Sequence, residues 1–254
     1  MSTLFEGIIG SDVDLARRIA ETAGHILVTL QKSGLFEGKA LGKAGDRVAN
    51  AFIMEALKQQ RPDDAVLSEE EKDNPERLKR ERVWIVDPLD GTREYGEERT
   101  DWAVHVALAV NGRATVGAVA LPGIPLTLCT ERSFGALVGR GKPRMLVSRT
   151  RPAREAVAVA EKLGAELVPM GSAGAKAMAV VRGEAEIYLH SGGQYEWDSC
   201  APVAVAQAAG LHVSRIDGSP LVYNQADVYL PDLLICPPSY ADQVLALIRE
   251  LEAA

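Results

Sequence analysis

The acidic residues of this chain gather where apolar runs stop, and those are the side chains able to do chemistry. In RVWIVDPLDGTREY, residues 82–95, the run Val83, Trp84, Ile85, Val86 has the pattern of a buried strand. Asp87, Pro88, Asp90 and Gly91 stop it with turn residues. Two carboxylates are thereby delivered at the carboxyl end of a strand, the edge at which open α/β sheets bind ligands. Gly91 and Thr92 follow and are placed to open a helix whose first N–H groups face the same spot and attract phosphate. Hard oxygen ligands beside an anion cradle point to Mg²⁺-dependent phosphoryl chemistry. The plainer alternative is an Asp-Gly turn with Asp87 capping locally.

Two further acidic places have the same character. Glu69 and Glu70 follow the short apolar run Ala65, Val66, Leu67, and Asp198 lies in YEWDSCAP between Gly192-Gly193 and a small-residue helix through Ala201, Val203, Val205 and Ala209. Taken singly, Ser68 with Glu71 fits a capping box and Asp198 fits an N-cap. Taken together, Glu69, Asp87, Asp90 and Asp198 supply the roughly four protein oxygen ligands that a pair of carboxylate-bridged cations requires.

Those acids must be carried by elements that the hydrophobic periodicity sets out. Residues 11–33 predict a helix with Ser11 and Asp12 as cap candidates, Leu15, Ile19, Ala23, Ile26 and Leu30 at helical spacing, and Gly34 ending it. Residues 46–60 predict a second helix, with Val48, Phe52, Ile53, Ala56 and Leu57 inward and Pro62 closing it. Residues 102–110 alternate as a strand with Trp102, Val104, Val106 and Leu108 on one face. Asn111-Gly112 marks a hairpin, and 113–121 is its return strand. Residues 125–130 and 134–138 predict further strands of that antiparallel sheet.

The texture changes near residues 139–143. Beyond it, strands at 144–148, 166–170, 185–190, 211–215 and 232–236 are interspersed with helices at 152–163, 173–182, 199–209 and 238–252. The expected organisation is an α+β half over residues 1–142 carrying most of the acids, and an α/β half over 143–254 bringing Asp198 and the substrate side, in one compact unit.

Composition narrows the class of partner. The 254 residues are 47% hydrophobic and 25% charged, ordinary for a globular protein. A formal net charge of -7 argues against nucleic acid held on a basic surface. It leaves room for a small anionic substrate, because bound divalent cations reverse the field locally. Cys129, Cys200 and Cys236 match no zinc spacing and suit a reducing compartment. With no signal-like or membrane-length apolar run, a cytoplasmic protein with no membrane insertion is expected.

At this point the motifs carry a resemblance. VDPLDGTREY, the SEE at 68–70 and WDSCAP resemble the three signatures of the lithium-sensitive inositol monophosphatase superfamily. DPLDGT followed by a charged pair and an aromatic looks most like its CysQ-type branch of 3′-phosphoadenosine 5′-phosphate (PAP) phosphatases. GKAGDR at 42–47 and GSAGAKAMAVVRG at 171–183 look like actinobacterial members of that branch. The resemblance spans nearly the whole chain and implies a layered αβαβα sandwich. It also implies a hydrolase of sulfur metabolism that removes the 3′-phosphate of PAP, with the sulfated relative PAPS as a second candidate substrate, and a homodimer.

Residue by residue, the resemblance implies that Glu69, Asp87 and the Leu89 carbonyl hold one Mg²⁺, and that Asp87, Asp90 and Asp198 hold a second. A third, weaker ion is implied near Glu69. Asp46 with Thr92 would orient and help deprotonate the attacking water, Glu69 sharing in catalysis, and the Gly91 and Thr92 N–H groups would bind phosphate. Glu69, Leu89, Asp90, Gly91, Thr92 and Asp198 would thus line the substrate. Ser172 and Lys176 are expected on the nucleotide side, the alternative for Lys176 being a solvated helix lysine. Ser148 and Arg149 are weaker candidates there. The chemistry is in-line displacement by metal-activated water, which needs no covalent phosphoenzyme and suits a site without a dedicated Ser, Cys or His nucleophile.

Departures from the pattern are Asn50, where relatives carry an acid, Leu211, where a small residue is usual, and Glu97, where a basic or hydroxyl residue is preferred. None is a proposed ligand. His105, in an alternating strand, is expected to be a hydrogen-bonded structural histidine, and Cys200 to fill space beneath Asp198. Alternatives within the superfamily are inositol monophosphatase and sugar (fructose-1,6-bisphosphate) phosphatase. A haloacid dehalogenase-type phosphatase needs its aspartates one residue apart, unlike Asp87 and Asp90. A non-catalytic nucleotide or metal sensor would be favoured by loss of a ligand acid, and all four are present.

Overall fold

The structure is a computed structural model describing residues 10–131 and 141–252. The strand expected at 134–138 lies outside the described residues. Two five-stranded sheets alternate with three helical layers. The first sheet has the order β1 (Ala65–Ser68), β2 (Arg82–Asp90), β3 (Ala103–Val110), β4 (Arg113–Leu121), β5 (Leu126–Cys129), with only β1 and β2 parallel. The second contains β6 (Arg144–Ser148), β7 (Glu166–Met170), β8 (Ile187–Ser191), β9 (His212–Ser214) and β10 (Asp232–Cys236), in the order β7-β6-β8-β10-β9.

Strand alternation assigns each face of the first sheet to a different layer. Trp84 and Val86 of β2, with Val104, Val106 and Leu108 of β3, pack against α1 (Asp12–Lys32) and α2 (Gly38–Gln60). Val83, Ile85, Ala103 and Ala107 face the other way, onto α5 (Ala173–Val181) and α6 (Glu196–Ala208). These two helices also cover Tyr188, Leu233 and Ile235 of the second sheet. Its far face, with Met145, Val147, Ile187 and Leu234, buries α4 (Arg154–Leu163) and α7 (Pro238–Glu252). The order is therefore αβαβα, as expected. Each large apolar side chain fully buried in these layers contributes roughly 1.5–3 kcal/mol.

Helix boundaries differ from expectation in ways that matter for the site. Helix α2 begins at Gly38, eight residues before the expected start. Its buried stripe is Leu41, Gly45, Ala49, Ile53 and Leu57, at spacings of four, and Val48 is exposed, contrary to its expected inward orientation. Glycines that disfavour helix in isolation are needed here for close approach. A Cβ on Gly42 would lie 2.7 Å from Thr92 Cγ2, and one on Gly45 would lie 2.8 Å from Tyr95 Cε1. Helix α6 begins at Glu196, so Asp198 lies inside its first turn and is not the N-cap residue itself. Helix α1 is capped by Ser11, whose Oγ accepts the Asp14 N–H, while Asp12 binds Arg61 and Arg82.

Candidate active site

Strand β2 runs through to Asp90, its pairing with β3 shifting register between Asp87 and Asp90, so both carboxylates emerge from the strand itself. Helix α3 (Thr92–Gly96) follows directly, Gly91 turning the chain with φ of 90°. Helix α6 brings Asp198 to the same place. Carboxylate oxygens of Asp87, Asp90 and Asp198 all lie within 4.8 Å of one another. Glu69, in the turn after β1, joins from the rim: its carboxyl is hydrogen-bonded to Asp87 and feels the charge of Asp198. The turn is shaped by Asn50, whose Nδ2 donates to Glu71 at 2.8 Å and whose Oδ1 accepts from Ser68 at 2.8 Å. The capping box considered for Ser68 and Glu71 is absent, because no helix follows.

Asp46 comes from α2 and meets Thr92. Thr92 Oγ1 lies 3.2 Å from Asp46 Oδ1 and 3.2 Å from the Leu89 carbonyl oxygen, donating to one or the other. The Leu89 N–H donates to Asp87 Oδ1 at 3.0 Å. A cleft of about 480 Å³ opens on this side, lined by Lys39, Lys43, Asp46, Thr92 and Arg93.

The carboxyls are held in opposite protonation tendencies. Burial, then the charges of Glu69 and Asp90, push Asp87 well above the usual carboxylate range. Burial and then Asp90 raise Asp198 to about 7. Partial burial of its carboxyl and then Asp198 raise Glu69 to about 7. Asp46 is raised to about 6, by burial and then Glu70. Asp90 is the exception, held at about 2. Burial opposes its ionisation, but His105, the Ser172 hydroxyl and the Gly174 N–H outweigh that cost.

Its donors come from the start of α5: Ser172 Oγ at 2.5 Å and Gly174 N at 2.6 Å on Oδ2, and Ala173 N at 3.1 Å on Oδ1. His105 Nε2 lies 3.2 Å from Oδ2. Oδ1 is the freer oxygen.

His105 was legible as a structural histidine, and its partners explain why it is there. Nδ1 lies 3.0 Å from the Trp197 carbonyl oxygen, so the ring spans from Asp90 to the residue before Asp198. A polar residue at a core-facing position of β3 was the available signal. Gly174 makes room for it, since a Cβ there would lie 2.0 Å from Nε2.

Ser172 lies at the N-cap of α5 with φ of 36°, accepting the Ala175 N–H while donating to Asp90. Asp101 accepts the Gly171 N–H at 2.6 Å, a contact with no local signal in the sequence.

Lys176 is neither a solvated helix lysine nor, in this structure, directed at an anion. It is buried, and its Nζ donates to the carbonyls of Gly171 and Ser172 at 2.8 and 2.6 Å. Burial lowers it to about 8. Arg149 is engaged by Glu94 at 2.7 Å and Glu97 at 2.5 Å, which joins the end of β6 to α3 and gives Glu97 a partner. Cys200 is buried in the core, where burial raises its thiol well above the ordinary value.

The arrangement has a close match in known sequences. The sequence profile of the Inositol monophosphatase family matches residues 13–253. The chain belongs to the inositol monophosphatase family. Phosphatases of this family are metal-dependent. A Mycobacterium leprae protein named 3′-phosphoadenosine 5′-phosphate phosphatase is 48% identical, over 95% of this chain and 94% of its own length. Escherichia coli 3′(2′),5′-bisphosphate nucleotidase CysQ is 31% identical, over 74% of this chain and 81% of its own. In fold, the chain resembles crystalline CysQ of Bacteroides thetaiotaomicron, with a TM-score of 0.79 and 24% identity over 90% of this chain and 98% of that one. No helix among the described residues is long and apolar enough to cross a membrane.

The donor set suits a hard divalent cation. Asp87 and Asp198 form no ion pair with Lys or Arg among the described residues, and burial first, then neighbouring carboxylates, raises both.

Proposed function

We propose that this family member is a Mg²⁺-dependent phosphatase that removes the 3′-phosphate of PAP, a 3′(2′),5′-bisphosphate nucleotidase, with PAPS as a second substrate. The observation that carries this is the convergence of Glu69, Asp87, Asp90 and Asp198 beside the Asp46–Thr92 pair, in a chain nearly half identical to a protein named for that activity. Glu69, Asp87 and the Leu89 carbonyl would hold one Mg²⁺, Asp87, Asp90 and Asp198 would hold a second, and a third would bind more weakly near Glu69. When bound, these cations supply positive charge that neutralises the phosphate, acidifies water and stabilises the leaving oxygen.

The chain's own groups do the rest. The Gly91 and Thr92 N–H groups bind phosphate oxygens, and the Thr92 hydroxyl orients the attacking water. The carboxylate of Asp46, close to Thr92 Oγ1, receives its proton. Ser172 and the α5 amides keep Asp90 ionised and fixed. Lys176 serves by holding the 171–172 carbonyls.

A phosphate-release panel with and without Mg²⁺ tests the assignment. Release from PAP is expected to exceed release from inositol 1-phosphate at least tenfold at equal concentration, and to vanish on chelation. The opposite ranking would make this an inositol or sugar phosphatase of the same family.

A further inference from the structure

Beside Asp198 the surface carries aromatic side chains to which the phosphate chemistry gives no role. Tyr195 is 41% exposed and Tyr229 45% exposed. The Tyr195 and Trp197 rings stack, with centroids 5.0 Å apart and planes 13° from parallel. Tyr229 meets Tyr195 edge-on at 5.6 Å. Trp197 is half-buried against the core, and the exposed tyrosines extend its apolar area outward as a surface suited to a flat apolar group.

The rings are fixed rather than carried on a loose loop. The Glu196 N–H donates to the Val228 carbonyl at 2.9 Å, and the Leu230 N–H to that of Gln194 at 3.0 Å, pairing the two segments. Tyr229 Oη accepts the Gly193 N–H at 3.1 Å. The buried Glu196 carboxylate accepts the N–H groups of Asn224 and Gln225, each at 2.7 Å. The same segment is tied to the acid cluster, since the Tyr195 N–H donates to Asp198 Oδ2 at 2.7 Å. Arg151 adds a guanidinium to this rim, 3.5 Å from the place a Gly193 Cβ would take.

A rigid π surface, a cation and a phosphate-processing acid on one rim match a ligand that joins a flat heteroaromatic ring to phosphate. A polyol phosphate offers hydroxyl groups and no π face. We propose that Tyr195, Trp197 and Tyr229 form the platform on which the purine base of the substrate stacks, with Arg151 facing its charged end. This assignment rests on the site being a nucleotide phosphatase. It names the residues that separate nucleotides from polyol phosphates.

Full-length wild type, Tyr195→Ala, Tyr229→Ala and Tyr195→Phe should be compared in Mg²⁺ on PAP and on the base-free ester glycerol 2-phosphate. Base–aromatic stacking has a magnitude that corresponds to about 5- to 150-fold in affinity. The preference for PAP, as the ratio of kcat/KM values, is expected to fall by that factor in each alanine variant, through KM for PAP. Tyr195→Phe should keep the wild-type ratio. An unchanged ratio in both alanine variants, or equal losses on both esters, would overturn the platform.

Absence of PAP turnover by the wild type would instead overturn the nucleotidase assignment, and the platform would then be judged by AMP binding. Trp84 and Trp102 are fully buried, so a fluorescence response to AMP reports Trp197. Saturable quenching that weakens in Tyr229→Ala supports stacking, and no quenching in the wild type refutes it.

Discussion

Asp87 and Asp90 leave the same strand three positions apart, yet the protein treats them in opposite ways. Asp90 is met by a hydroxyl, two backbone N–H groups and an imidazole, and is held ionised at about 2. Asp87 receives the Leu89 N–H and otherwise faces Glu69 and Asp198, and is driven well above the carboxylate range. One carboxylate has its charge balanced by the fold. The other is left for a charge that must come from outside. A shared cluster thus divides into a fixed anchor joining the first sheet to α5 and a set of proposed ligands whose carboxyls are held toward their neutral forms.

Replacing each acid by its amide should break that contrast most severely. Asp87→Asn and Asp90→Asn are both expected to lower PAP turnover by two orders of magnitude or more, since each removes a carboxylate proposed to hold Mg²⁺. Their effects on the metal-free fold should diverge. Asp87→Asn relieves like-charge crowding and should leave the melting temperature unchanged or raised. Asp90→Asn turns an amide toward buried donors and should cost about 3 kcal/mol. Equal metal-free stabilities in thermal melts would show that the two acids are not differently held.

A smaller effect is expected at the residue linking the two kinds of environment. His105→Ala removes the ring between Asp90 and the Trp197 carbonyl. Groups that orient metal ligands from behind are worth about 10- to 100-fold in metal affinity or activity. The Mg²⁺ concentration for half-maximal activity should therefore rise about tenfold, with His105→Gln recovering part of it. A change in Tm with no change in Mg²⁺ dependence would mean that the ring only fills space.

The sequence made the ligand side of this contrast legible and left the anchor side hidden, for a physical reason. Asp87, Asp90, Glu69 and Asp198 each close a short apolar run or open a helix, so local pattern located them. The donors to Asp90 lie at 105 and 172–174, and only the packing of α5 against the first sheet brings them within reach. The two halves were readable from alternation, down to the Trp102, Val104, Val106, Leu108 face, and the layered order from the family resemblance. The first turns of α2 were not, because Gly42 and Gly45 disfavour helix until their neighbours Thr92 and Tyr95 are in place. Lys176 looked like a ligand contact because Lys is long and basic. Its burial, which turns the amine back onto two carbonyls of its own helix entry, is a tertiary fact.

A pH dependence of the melting temperature follows from the same contrast. Glu69 and Asp198 at about 7, and Asp46 at about 6, hold protons in the folded chain that the unfolded chain releases near its ordinary carboxylate pKa of about 4. A raised pKa favours folding below the unfolded value, and that contribution is lost as pH rises through the folded one. His105, also raised, acts in the same sense. Asp90 has the opposite sign: its stabilisation is present above about 4 and is lost as pH falls toward 2. Metal-free protein should therefore be most stable near pH 4 and melt at falling temperatures as pH rises from about 4 to 7. Mg²⁺ competes with the protons on Glu69, Asp87 and Asp198, so it should bind more tightly as pH rises and lessen that decline. Melting curves with and without Mg²⁺ across this range decide the matter, because a decline undiminished at saturating Mg²⁺ would place its origin outside Glu69, Asp87 and Asp198.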